Sequence, residues 1–178
     1  MNNSQPVAYK NLFKWALNYG LLMGLIGTAG YFLTNNLDPR SWVVHVTSIF
    51  SFLAAAFVIY FALKNYKQAT GELSFREGFM LSLFISIISG LAISAVVLIY
   101  YWLSPEALKN FFVHQEATLK AKKTTSPAEI KKTMAFLHQF YPYIILSGAL
   151  MGQMFIGLLT GMATAFILRD QETLAAKR

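Results

Sequence analysis

The stretch GELSFREGF at residues 71–79 sets Glu72, Arg76 and Glu77 between two apolar runs, each long enough to cross a bilayer. As chemistry, the three would form a polar site at the mouth of a helix bundle, suited to a lipid-modifying enzyme or a lipid sensor at the membrane surface. As structure, they manage a helix end. Ser74 and Glu77 have the Ser-x-x-Glu spacing of a capping box, Gly71 is a turn residue, and an apolar run follows at once. Glu77 then meets the positive end of the helix dipole, and Arg76 reaches phosphate headgroups.

The other reactive side chains are scattered. His114 and His138 lie 24 residues apart, with no metal-ligand spacing between them or around Glu116 and Glu129. Ser147 would need a histidine at similar depth to act as a nucleophile, and its apolar run contains none. His45, Asn18 and Gln153 sit within apolar runs, but no Asp, Glu, Lys or Arg joins them there, so a proton relay or ion-coupled transport site lacks its parts. Cysteine is absent, which removes disulfides, thiolate metal sites and a cysteine nucleophile. The sequence therefore predicts no catalytic residue, no metal and no cofactor.

The elements that position these residues are set by composition. Of 178 residues, 56% are hydrophobic and 13% charged, a balance that points to lipid as solvent. Four stretches free of acidic and basic residues, 15–33, 42–63, 78–103 and 141–168, reach the length of a spanning helix. Trp15, Trp42 and Trp102 lie at their ends, as an aromatic belt requires. The expected fold is all-α: one membrane domain over 1–178, four transmembrane helices in an antiparallel bundle, and an amphipathic helical loop at 104–140. The turn-forming TNNLDPRS at 34–41 makes the first two spans a hairpin.

Within 104–140, Ser104-Pro105-Glu106 and Ser126-Pro127 with Glu129 each read as a helix start, so the loop holds two amphipathic helices. They would lie on the headgroup layer, or form a lid or a docking surface. Lys120, Lys122 and Lys123 between them are candidate contacts for anionic lipid, a better partner for the net charge of +7 than nucleic acid, for which no aromatic-basic motif exists. Basic residues divide almost evenly between the two sides. Lys10, Lys14, Lys64, Lys67 and Arg169 beside span ends favour cytoplasmic termini.

Small residues recur at a spacing of four: Gly20 and Gly24; Ser82, Ser86, Gly90 and Ser94; Gly148 and Gly152; Gly157 and Gly161. Such faces let helix backbones approach closely in lipid. They would pack the bundle internally, build an interface with a second copy or another membrane protein, or, on the serine face, line a substrate path.

Three segments, YKNLFKWALNYGLLMG, GELSFREGF and LIYYWLSPE, resemble the small four-span membrane proteins of Bacteroidota grouped as domain of unknown function 4199, over about residues 9–169. The resemblance implies four spans and an inner-membrane location, and it assigns no site to any residue. The functional expectation is a non-enzymatic accessory or scaffold subunit. A small oligomeric transporter or channel subunit and an interfacial lipid-binding protein are the alternatives.

Overall fold

The computed structural model describes the backbone of residues 5–35, 41–121 and 126–168, and the side chains of 12–34, 41–121 and 126–168. The described residues form five helices and no strand: α1 (Gln5–Asn35), α2 (Trp42–Thr70), α3 (Phe75–Leu103), α4 (Pro105–Ala121) and α5 (Pro127–Leu168). Four of them, all but α4, are long and apolar enough to cross a membrane. The predicted turn around Asn36–Arg40, and Lys122, Lys123 and Arg169, lie outside the described residues.

Local chemistry sets the helix ends. Ser41 accepts a hydrogen bond from the Val43 N–H and starts α2. That helix runs past Leu63 because KNYKQAT has few helix breakers, and it stops at Gly71, whose φ of 81° lets its N–H reach the Lys67 carbonyl at 2.8 Å. At Ser104 the following proline disfavours helical backbone, so α3 ends and α4 begins across a single residue. Ser104 accepts from the Ala107 N–H at 3.4 Å to start α4.

The stretch 104–140 departs from expectation. Its first helix is separate, but the second is continuous with the last span, giving a 42-residue α5 that passes through Pro142 without a break. Proline removes one hydrogen bond and crowds the carbonyl four residues back, here that of His138. Tyr141 and Tyr143 beside it are residue types favoured at membrane interfaces, where headgroups and water would solvate that carbonyl. Residues 127–140 thus extend the span instead of lying apart from it.

Helix α3 packs most extensively, against α1 on one side and α5 on the other. Gly20 abuts Ile88 and Gly24 abuts Ala92, so α1 and α3 run in the same direction. Gly78 meets Ala165 and Gly90 meets Leu150, so α5 runs oppositely to α3. One apolar cluster fills the end near Gly71: Ile59, Leu63, Leu81, Ile85 and Ala165 are wholly buried there. A smaller one, Ile93, Val97 and Tyr101, joins α3 to α4 through Phe111 and Leu108. Outside, large apolar side chains stay exposed, including Phe50 at 72%, Phe57 at 61% and Trp102 at 78%. An apolar exterior of this extent suits lipid, not water.

Candidate functional site

The charged stretch that begins α3 resolves into a cap. Ser74 accepts from the Glu77 N–H at 3.2 Å, and its own N–H and hydroxyl donate to Glu77 Oε2 at 3.1 and 2.7 Å. That reciprocal pair satisfies donors the helix start would leave open. Glu72 and Arg76 stand exposed on either side, and Leu73 between them is buried as a plug against the core. Glu77 is occupied by its cap, and the three charges do not converge on a shared site.

A second capping box begins α5. The Ser126 N–H donates to Glu129 Oε2 at 2.8 Å and its hydroxyl donates at 2.9 Å. These bonds, the backbone one first, hold the Glu129 carboxyl below its ordinary pKa. On α4, Lys120 is paired with Glu116 at 2.7 Å, an exposed contact worth little by itself. His138 stacks on Phe112 with ring centroids 3.8 Å apart, fastening α4 to α5. His114 shares a polar hollow with Tyr101, Glu106 and Asn110, remote from His138 in its lining. Among the described residues no three metal-ligating side chains gather. His45, Asn18 and Ser147 are all exposed on the outer faces of their helices.

The serine face of α3 is closed. Ser82, Ser86, Ser89 and Ser94 are all at most 1% exposed. A Cβ on Gly157 would strike the Ser86 hydroxyl, and one on Gly161 the Ser82 hydroxyl. Both glycines are therefore spaces that α3 fills. Ser82 donates to the Phe79 carbonyl and Ser94 to the Gly90 carbonyl, at 2.8 and 2.7 Å, as hydroxyls do when no water is near. Ser86 and Ser89 are buried without a partner.

Gly148 and Gly152 behave differently, although their spacing in sequence is the same. A Cβ at either would meet nothing within 4 Å, so they pack against no helix of this chain. They form one wall of a partly open cavity of about 490 Å³ between α1, α2 and α5, also lined by Ile93 of α3 and Phe111 of α4. Its walls are mostly apolar, with Ser48, Ser51, Thr34 and Gln153 as polar points. Just above, the hydroxyls of Tyr31 and Tyr101 lie 2.9 Å apart, tying α1 to α3.

Sequence reasoning missed this cavity, the tyrosine pair, and two contacts at the opposite end. There Asn65 donates to the Tyr19 hydroxyl at 2.8 Å, and Lys67 donates to the Leu168 carbonyl at 2.8 Å, placing a cation on the negative end of α5. A faint signal existed for the cavity: Gly27 and Gly30 on α1 share its lining with Gly148 and Gly152, although only the latter two face open space.

Among curated proteins and solved structures, none matches the chain. A family described as a protein of unknown function, DUF4199, matches residues 14–170, which takes in all five helices except the start of α1, and the chain belongs to that family.

Proposed function

We propose that the protein is a non-enzymatic accessory or scaffold subunit of a bacterial inner membrane, in a member of the Bacteroidota, built as an antiparallel four-span bundle with both termini cytoplasmic. It works by packing with lipid and with a membrane partner, a second copy or another protein. The observation that carries this reading is the closed serine–glycine face. The hydroxyls that would line a polar path through the bundle are sealed against Gly157 and Gly161. The charges at 72–77 are spent on a helix cap and on the surface. A chain whose interior offers solutes no passage is suited to binding and positioning. Because the serine face of α3 and the Gly157–Gly161 face of α5 are consumed within the chain, its outward contacts fall to the open Gly148–Gly152 face and to the large apolar residues of α2 and α5, such as Phe50, Phe57 and Phe155.

The natural absence of cysteine makes the test direct. Ser86→Cys and Ser94→Cys are placed singly in the full chain in its own membrane and exposed to a water-soluble maleimide. Both positions are expected to stay unlabelled. Labelling at both would establish an aqueous path along α3 and move the protein to the transporter or channel class. Turnover or ion conductance by the purified protein alone would overturn the reading equally.

A further inference from the structure

We infer that the cavity between α1, α2 and α5 is a binding site for a lipid-phase alcohol, a molecule with an apolar body and one hydroxyl. Three observations lead there. The cavity holds about 490 Å³, within the range of small-molecule sites, and its walls are drawn mainly from the apolar spans, toward their α4 end. Gly148 and Gly152 offer it a smooth wall with no neighbour within 4 Å, where a packing motif of this kind ordinarily meets a helix. Gln153, one residue on, sits near the middle of the apolar part of α5 and contributes to the lining.

The amide of Gln153 selects the ligand class. Its Oε1 is buried and has no hydrogen-bond partner. Its Nε2 lies against the wall beside Gly27, 3.4 Å from where a Cβ on that glycine would stand. Leaving such a group unpaired in an apolar interior is costly, and a primary amide can turn to present either its donor or its acceptor. A hydroxyl both donates and accepts, so it satisfies the amide in either orientation. The rest of the lining is mostly apolar and rewards hydrocarbon. Ser51 sits on the facing wall, close enough to Gly30 to meet a Cβ there at 2.6 Å, and narrows the cavity at that level. Among the described residues, no charged side chain lines the cavity to pair with a charged headgroup, which leaves a neutral alcohol.

The inference needs the chain to be embedded in lipid; it does not depend on the absence of catalysis. It is tested with the full chain in lipid nanodiscs, photolabelled with an octanol that carries a diazirine and, in parallel, with an octane carrying the same diazirine. The octanol is expected to mark peptides containing Gly30, Ser51 and Gly148–Gln153. It should exceed the octane there by about fivefold, as a hydrogen bond in a dry site allows. Gly152→Leu adds a side chain whose Cβ meets nothing within 4 Å and should, by occupying the cavity, reduce labelling there to the level of lipid-facing Phe50; Gly148→Leu serves as an independent second filler. Gln153→Leu should abolish the preference for octanol while leaving octane labelling in place. Labelling of Phe50 and Phe57 by both probes reports embedding itself, so a failure of the site is distinguishable from a failure of the membrane reading. Cavity labelling that persists in both glycine variants would overturn the site. Equal labelling by the two probes in the unmodified chain would overturn the alcohol. Protection of the whole groove from both probes would show a protein helix seated in it, and would overturn the assignment as well.

Discussion

The two ends of the helix assembly are built from the same residue types and reach opposite results. Near Gly71, the glycines at 157 and 161 are filled by serines of α3, and Ile59, Leu63, Leu81 and Ile85 have no exposure. Near α4, the glycines at 148 and 152 face open space, and the buried cluster shrinks to Ile93, Val97 and Tyr101. The difference lies in what ties the helices. At the first end Lys67 binds the α5 terminus and Asn65 binds Tyr19, so α2 is held against both α1 and α5. At the second, α1 and α3 are joined by their tyrosines, while the first half of α2 turns Val46, Ile49, Phe50 and Leu53 outward. Small residues permit close approach; they do not enforce it.

Substitutions can break this contrast or sharpen it. The largest effect is expected from Leu81→Ala, which opens a void in the tight end and should cost about 3 kcal/mol, whereas Ile49→Ala, on the outer face, should cost less than about 0.5 kcal/mol. Thermal unfolding in a mild detergent, followed by tryptophan fluorescence, would compare them; equal losses would mean that the two ends are not differently packed. Next, Gly161→Leu forces α3 and α5 apart and should destabilise by roughly 1–3 kcal/mol, whereas Gly148→Leu should be neutral or slightly stabilising. A retained melting temperature in Gly161→Leu would contradict the close α3–α5 contact.

Smaller effects come from the caps. Ser74→Ala removes the partner of Glu77 and should cost about 1 kcal/mol, and hydrogen exchange over residues 75–80 should accelerate more than elsewhere. The least effect belongs to Glu129. Its carboxyl is held below its ordinary pKa by Ser126, so its contribution is full above the ordinary glutamate range and fades as pH falls through and below it. Protection of the first turn of α5 should therefore drop in acid, and Glu129→Gln should flatten that dependence. Persistence of the same pH response in the glutamine variant would place its origin elsewhere.

What was legible in the sequence is what depends on local rules. Charge-free runs announce spans because lipid tolerates no unpaired charge over their length. Capping boxes at Ser74 and Ser126 require only neighbours three residues apart, and both are formed. Family resemblance was legible for the same reason, since its motifs lie at the span ends. The cavity was not. Gly148–Gly152 and Gly157–Gly161 have the same spacing but lie on roughly opposite faces of α5, and the side on which α3 packs decides which pair finds a neighbour. The charge-free run put the start of the last span at 141, but the helix itself begins at Pro127 and carries Pro142 inside it; whether a proline ends a helix or is carried through it depends on what can solvate the carbonyl it frees. That partner is a matter of depth, which no local pattern encodes.

The continuity of α5 through Pro142 also fixes a distance. At 1.5 Å per residue, the stretch 127–140 carries the helix about 20 Å past the aromatic boundary of its span. With α4 clasped alongside through Phe112 and His138, that extension is a braced mast with the tip marked by Lys131 and Lys132. Anything that docks at the tip is held at a set distance from Tyr141, and its position changes in step with any tilt of the rest of the same helix.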